Sequence, residues 1–421
     1  MKDCDVVIVG SGIGGLCCAS LLSLQGLKVI VCEAHSKPGG VAHSFDLKGY
    51  KFESGPSLFS GLEGYSPANP LGQILKLIEE PVEVIKYLGW RVLLPDSNFD
   101  LNVGYSPFRE KIKELRGLKS LEEWDNFVCA IKPISDITKE LPLLSLSSLS
   151  SNPLEIIKLT PKFLGNLQYL PMLRKGFGEI AENHLNDTYL KNWVDLLSFL
   201  ISGMSMYDTN TAAMATLFDE WFSPDVFLEY PKGGSESIVN ALSNGIKKNG
   251  GEIMLSSKVE EIQCNQNKVQ GIKLKNGSEI KAPNVVLNCD IWSAQKLIPG
   301  LMRKKWKNSK KIAKCDSFLH LHLGFDGRGL ENLPIHTIWV NKWERGITAE
   351  RNIAVFSIPS VLDPGMAPPG KHVLHAYTPA NEPWEIWKNL KTNSTSYKKL
   401  KEKRCSLLLN SLREFIPDID E

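Results

Sequence analysis

The sequence predicts an α/β chain made of two interleaved units, and three observations carry that prediction. A buried-strand run, a glycine-rich turn, an apolar helix and a second buried strand follow one another directly at the N-terminus. A helix and several short strands after residue 231 repeat the same alternation. The segments between and beyond them differ in character, first leucine-rich and helical, then period-2 strands. At 421 residues the chain suits two domains of roughly 100–200 residues each. With 43 % hydrophobic and 23 % charged residues it falls in the ordinary globular range. Wholesale disorder, a fibrous repeat and a polytopic membrane protein are excluded. Lys plus Arg (49) nearly balances Asp plus Glu (47), and a net charge of +2 excludes a dominant basic field for nucleic acid.

The first unit is the most specific. Asp5-Val-Val-Ile-Val9 is a strand; Gly10-Ser11-Gly12-Ile13-Gly14-Gly15 follows at once; Leu16–Leu24 reads as a helix; Lys28-Val-Ile-Val-Cys-Glu33 is a second strand ending in an acid. Strand, turn, helix, strand and acid together make this a Rossmann-like dinucleotide motif rather than a chance glycine loop. Gly10 makes the tight turn, Gly12 lets the backbone approach a pyrophosphate, and Gly15 lets the helix pack on the sheet. The helix start offers free N–H groups and about half a positive charge to a diphosphate. Glu33 is placed to accept from both hydroxyls of an adenosine ribose. The motif alone does not separate NAD from FAD. Pro38-Gly39-Gly40 and Gly49-Tyr-Lys-Phe-Glu-Ser-Gly55-Pro56 add glycine sites that suit a long cofactor, although plain turn chemistry also explains them.

From Ser66 to about Pro224 the pattern changes. Arg91–Gly104 is a predicted hairpin turning at Asp96-Ser-Asn98, and helices follow Phe108. Leu141–Lys175 reads either as a lid or membrane-touching surface or as an amphipathic helix pair over a core. Ser235–Lys248 is a predicted helix stopped at Gly250-Gly251, with strands at 252–255, 259–262 and 269–274, a hairpin signal at Asn276-Gly277, and a buried strand over Ala282–Asn288. This unit is expected to rejoin the first sheet, with Val259 near the adenine end. Lys304–Lys314 is basic, a solvated helix face or a contact for anionic head groups. Phe318–Phe325 alternates, placing His320 and His322 on one side of a strand; a polar strand face is favoured over metal ligation, and no metal is expected. The strand Lys371–Tyr377 is flanked by proline loops, including Thr378–Pro383, and Tyr377, Trp384 and Trp387 either line an apolar tunnel or pack a core. Nine cysteines without a Cys-x-x-Cys point to a reduced compartment and no zinc site. A strand beginning at Asp5 leaves no room for a signal or transit peptide. No run approaches the roughly 18–20 apolar residues that span a bilayer.

Taken together, these residues resemble the FAD-dependent amine-oxidase and phytoene-desaturase superfamily, and within it the carotenoid (prolycopene) cis–trans isomerases. The resemblance runs from residue 5 to about 418. It rests on Gly10–Gly15 with Glu33, Pro38-Gly-Gly40 and Gly49–Gly61. The narrower signals are Pro231-Lys-Gly-Gly234, His320-Leu-His-Leu-Gly-Phe-Asp326, Ile358–Pro364 and Ala367–His372. Amine oxidases often carry arginine after the paired glycines, where this chain has Val41. The resemblance implies FAD as cofactor, a hydrophobic polyene substrate, work at the cytoplasmic side of a membrane surface and no nucleic-acid partner; it leaves the oligomeric state open.

The implied architecture is a glutathione-reductase-like FAD-binding domain (1–65 and 226–295) interleaved with an α+β substrate domain (66–225 and 296–421). The implied cofactor residues are Gly10, Ser11, Gly12, Ile13, Gly14, Gly15, Glu33, Gly39, Gly40, Gly55, Pro56 and Val259. The implied reaction converts poly-cis lycopene towards the all-trans form with reduced flavin and no net redox change. A desaturase or saturase of the same fold and an inactive flavin-fold binding protein are the competing readings. Relatives continue with a strand, a glycine-rich turn and a helix that close over the flavin, and this element is expected to be missing after Glu421. No catalytic acid is assigned; His375 and Glu382 are named only because they adjoin the narrow C-terminal motifs.

Overall fold

The computed structural model describes residues 2–55, 57–63, 70–140, 167–222, 228–266, 268–298, 316–330, 332–414, 416–417 and 419. Residues 141–166 of the leucine-rich stretch, the basic segment Lys304–Lys314 and Pro56 lie outside them.

Val6–Val9 and Val29–Cys32 are buried at every position, as expected of parallel strands covered on both faces. They form the centre of a four-stranded parallel sheet in the order Glu252–Met254, Val29–Cys32, Val6–Val9, Asn284–Leu287. Period 2 sorts their side chains. Val6 and Ile8 face the helices Ile13–Leu24 and Ser235–Lys248, through Leu16, Ile238, Leu242 and Ile246. Val7, Val9 and Ile30 face a second sheet through Ile262, Ile272, Leu274 and Ile280. The result is a helix–sheet–sheet sandwich.

One expectation is corrected here. Glu252–Met254 and Asn284–Leu287 join the parallel sheet, but Val259–Asn265 and Lys268–Leu274 do not. They pair antiparallel with each other, and Lys268–Leu274 pairs antiparallel with Glu279–Lys281, as the covering layer. The short connections and the Asn276-Gly277 turn impose antiparallel neighbours, whereas a parallel return needs a long crossover.

The second unit is a six-stranded sheet in the order Ser317–Asp326, Lys371–Glu382, Ile353–Ser357, His336–Val340, Gly89–Leu93, Asn98–Asn102. The helix Thr395–Arg413 packs on one face against Phe356, Leu374 and Ala376. The helices Tyr105–Glu140, Phe177–His184, Thr188–Ser202 and Thr211–Trp221 cover the other, around Trp124, Trp193, Phe108 and Phe218. The hairpin turning near Asp96 forms as read, with the Leu94 amide donating to Ser97 O at 2.9 Å.

The loop expected over Thr378–Pro383 is instead largely strand, because Lys371–Glu382 runs through Pro379. Pro379 has no N–H for the ladder. The register slips between Leu319↔Thr378 and Ser317↔Glu382, and Ala380 takes φ +42°, so the proline sits in a bulge. A small sheet of Phe59–Ser60, Leu228–Pro231 and Val84–Lys86 stitches the two units together. Among the described residues, no helix is long and apolar enough to cross a membrane.

Candidate functional site

The glycine turn is built by the end of the first strand. The Gly10 amide donates to Cys32 O at 2.9 Å, tying the turn to the neighbouring strand. Gly10 has φ +100°, and a Cβ there would lie 2.5 Å from the Asn288 carbonyl oxygen, so only glycine fits. Ser11 is buried; Ile13 and Gly14 open the helix, and Gly15 lies beneath its first turn. The helix is capped by Gly12 with no side-chain bond to its first amides, which leaves them for an anion.

The second glycine pair comes to the same place. The Gly39 amide donates to Ser11 O at 2.9 Å, and a Cβ on Gly40 would stand 3.1 Å from the Gly12 Cα. The loop from Gly40 continues to His43, whose carbonyl accepts from the Ser54 amide (3.2 Å) and whose Nε2 meets Ser54 Oγ (3.0 Å). That brings Gly55 against Val41. Gly10–Gly15, Gly39, Gly40 and Gly55 therefore form one neighbourhood.

Glu33 stands at the end of the second strand. Its Oε2 accepts from the Ser11 amide (2.8 Å) and Ser11 Oγ (2.6 Å), and its Oε1 accepts from the His35 amide (2.7 Å). Burial raises its pKa, but these hydrogen bonds outweigh burial and hold the carboxyl below its ordinary value, so it is ionised at pH 7. Val259 is buried in the core between the two sheets. The chain just before it reaches the acid: the Ser257 amide donates to Glu33 O at 2.7 Å.

Beyond Gly55 a cavity of about 560 Å³ opens. Its walls are mostly apolar, among them Leu58, Phe59, Trp90, Leu200, Ile201 and Trp221. One polar line crosses it: Ser57 Oγ meets His336 Nε2 at 3.0 Å, and His336 Nδ1 meets Tyr87 Oη at 3.0 Å. His336 keeps some open surface towards the cavity yet is ringed by protein, and this enclosure lowers it to about 4, leaving the ring neutral at pH 7. Burial pushes Tyr377 up to about 12 and raises Glu220, both cavity residues.

His320 and His322 do lie on one side of their strand. Both rings stack on His375, at 5.0 and 4.5 Å, and His320 Nδ1 lies 2.7 Å from His375 Nε2. Burial lowers all three. Among the described residues, no cluster of His, Cys, Asp or Glu is arranged to hold a metal. Glu382 is occupied structurally: Arg404 grips both its oxygens (2.8 and 2.6 Å) and Trp387 Nε1 donates to Oε1 (2.7 Å). Of the aromatics expected near a tunnel, Tyr377 lines the cavity, while Trp384 is exposed and Trp387 packs near the long C-terminal helix.

A family described as flavin containing amine oxidoreductase matches residues 13–421. The chain belongs to that family. Its cofactor is FAD, and the cradle fits it: a glycine turn without side chains, uncapped helix amides and an ionised acid at the second strand end. Prolycopene isomerase 1, chloroplastic, of an Oncidium hybrid cultivar is 29 % identical over 401 residues, covering 91 % of this chain and 66 % of that protein. A 4,4'-diapophytoene desaturase (4,4'-diapolycopene-forming) of a Methylomonas species is 26 % identical over 409 residues, covering 89 % and 73 %. The chain thus spans slightly less than two thirds of the isomerase's length. Among solved structures, an oxidoreductase from Methanosarcina mazei superposes with a TM-score of 0.66 at 17 % identity, over 97 % of this chain and 84 % of that one. Putrescine oxidase superposes at 0.61 and 15 %, over 98 % and 81 %. These two share the fold.

The sequence reading passed over three residues. Asn288 ends the strand Asn284–Leu287 directly behind the glycine turn. Glu53 and His336 are the other two, and nothing in the residues around them marks a role. Asn288 alone carried a signal, as a polar residue closing an apolar run.

Proposed function

We propose that this chain catalyses FAD-dependent cis–trans isomerisation of a poly-cis carotenoid, converting prolycopene to all-trans lycopene with reduced flavin. The observation that carries this is the mostly apolar cavity whose wall begins at Gly55, in the same loop system that completes the dinucleotide cradle. A long apolar polyene could enter from the cavity side while the cofactor is held from the glycine side. The similarity to plant prolycopene isomerases supports the choice of substrate. Bound FAD supplies reversible electron and hydride chemistry.

The protein holds and orients. The uncapped amides of the helix Ile13–Leu24 and Glu33 would hold the diphosphate and ribose. Trp90, Trp221, Leu200 and Ile201 would exclude water from the polyene, and His336, neutral and already bonded to Ser57 and Tyr87, would place no charge beside it.

The similarity to desaturases favours a second reading, removal or addition of hydrogen on a polyene. The test is to purify the chain, record its flavin absorption, and incubate it anaerobically with poly-cis lycopene and a reductant. An all-trans product of unchanged mass supports isomerisation. A product of altered hydrogen count supports the second reading, and a chain that takes up no FAD refutes both. We further propose contact with a membrane surface, which co-flotation with liposomes would check.

A further inference from the structure

The glycines of the cradle converge on one side chain that belongs to none of the glycine motifs. The Asn288 amide nitrogen of the backbone donates to Val9 O at 2.9 Å, which sets the residue immediately beyond the central strand. Its side chain then lies behind the turn. A Cβ on Gly15 would stand 2.7 Å from Nδ2, one on Gly12 3.2 Å from Nδ2, and one on Gly14 3.0 Å from Oδ1. Nδ2 also donates, at long range, to the carbonyls of Gly10 (3.4 Å) and Gly12 (3.5 Å).

We propose that Asn288 is a positioning residue for the dinucleotide: its amide braces the turn from behind and so keeps the turn's N–H groups aimed at the diphosphate. The inference rests on the FAD assignment and adds to it a residue just past a strand, 278 positions from Gly10 and 276 from Gly12.

The chemistry selects an amide. The side chain faces two carbonyl oxygens, which accept only, and Nδ2 carries two hydrogens to give them. An aspartate at the same place has nearly the same shape but no donor. It sets lone pairs against lone pairs and adds a negative charge beside a site meant for a diphosphate. An alanine leaves both carbonyls unbraced without adding charge. The glycine motif and this asparagine are therefore two halves of one arrangement. The absence of side chains at Gly12, Gly14 and Gly15 makes room for the amide as well as for the cofactor.

The experiment measures binding rather than turnover, using wild type, Asn288→Asp, Asn288→Ala and Asn284→Asp. Asn284 lies on the same strand and its Nδ2 donates to Asp5 O at 3.1 Å, away from the turn, so it serves as the control. The probes are FAD, ADP (which keeps the diphosphate) and adenosine (which lacks it), each with the melting temperature of the unliganded protein. Asn288→Asp is expected to weaken FAD and ADP by about tenfold or more and Asn288→Ala by about three- to tenfold. Adenosine binding and the Asn284→Asp control should stay near wild type. The loss in the aspartate variant should shrink as salt is raised, because it is partly charge repulsion.

An Asn288→Asp protein that binds FAD within about twofold of wild type overturns the proposal. So does a loss shared equally by adenosine and ADP that tracks the fall in melting temperature, because that pattern marks a residue needed only for folding. Wild type that binds neither FAD nor ADP refutes the cofactor assignment itself, and the proposal falls with it.

Discussion

Glu53 gives the sharpest quantitative expectation. It ends the strand Tyr50–Glu53, just before Gly55, and is 3 % exposed. Its Oε1 accepts from the Ser235 amide (2.9 Å) and Ser235 Oγ (3.1 Å), and its Oε2 from Tyr230 Oη (3.4 Å). Ser235 begins the helix that lies beside the cradle helix, so Glu53 couples the second glycine segment to the dinucleotide sheet. Burial raises the carboxyl from 4.5 to about 7; the bonds from Ser235 and Tyr230 and the charge of Lys51 offset burial only in part.

The folded protein therefore holds this proton to higher pH than the unfolded chain does. Below pH 4.5 both states are protonated and there is no penalty. Between 4.5 and about 7 the unfolded state ionises first and stability falls as pH rises. Above about 7 the penalty is complete, near 3 kcal/mol at 1.36 kcal/mol per pKa unit. Glu53→Gln keeps the shape and an acceptor for the Ser235 amide but cannot ionise. Its stability should equal or fall slightly below wild type at pH 4.5 and exceed it by up to about 3 kcal/mol at pH 8.5. Urea unfolding of both proteins at half-unit pH steps measures this directly. A stability difference that does not change with pH would refute the reasoning. So would a variant that is weaker at every pH, which would show that the ionised carboxylate stabilises the junction.

Three further outcomes follow from the geometry. Glu33→Gln keeps one acceptor for the Ser11 and His35 amides but loses the ionised oxygen that takes two bonds from Ser11, and FAD affinity measured by flavin fluorescence should fall about ten- to a hundredfold. Arg404→Met leaves Glu382 buried without its counter-charge and should cost about 3–5 kcal/mol in urea unfolding, whereas Arg404→Met with Glu382→Gln should recover most of it. His336 is held neutral to about pH 4, so the folded state binds fewer protons than the unfolded one between pH 4 and 6.5 and loses stability as pH falls through that window. His336→Gln should blunt this acid sensitivity in a melting-temperature series while leaving stability at pH 8 close to wild type.

The cradle was legible in the sequence because its chemistry is local. Gly10–Gly15, the two fully apolar strands and Glu33 fall within 33 residues, and Gly10 and Gly15 sit where a Cβ would meet backbone. The helix Ser235–Lys248 was legible for the same reason, from its apolar period and its terminal glycines. Pairing was much less so. Whether Val259–Asn265 joins the parallel sheet or covers it depends on the length of its connections, which its mixed Val-Glu-Glu-Ile-Gln-Cys-Asn pattern does not encode. Thr378–Glu382 carried a proline that argues for a loop, and the structure keeps it as strand by placing the irregularity in a bulge.

The residues that were missed share one property: their reason for being polar is a partner far away in the chain. Glu53 is buried for Ser235, 182 positions on; Asn288 answers carbonyls 278 and 276 positions back; His336 answers Tyr87 and Ser57, 249 and 279 positions back. A buried polar group costs free energy unless it is paired, so the first two contacts tie the separate chain segments of the dinucleotide unit together, and His336 with Ser57 links that unit to the second. Glu53 with Ser235 ties the Gly55 segment to the helix Ser235–Lys248, Asn288 meets the glycine turn, and His336 lies in the cavity whose wall includes Gly55. The glycine motif defines where a dinucleotide can lie, but these long-range polar pairs decide whether the loop at Gly55, the turn at Gly12 and the cavity at His336 keep a fixed relation to one another. The function proposed above requires that relation. Substitution at Asn288 or Glu53 should therefore reach the cofactor and the cavity together, even though neither residue borders the cavity.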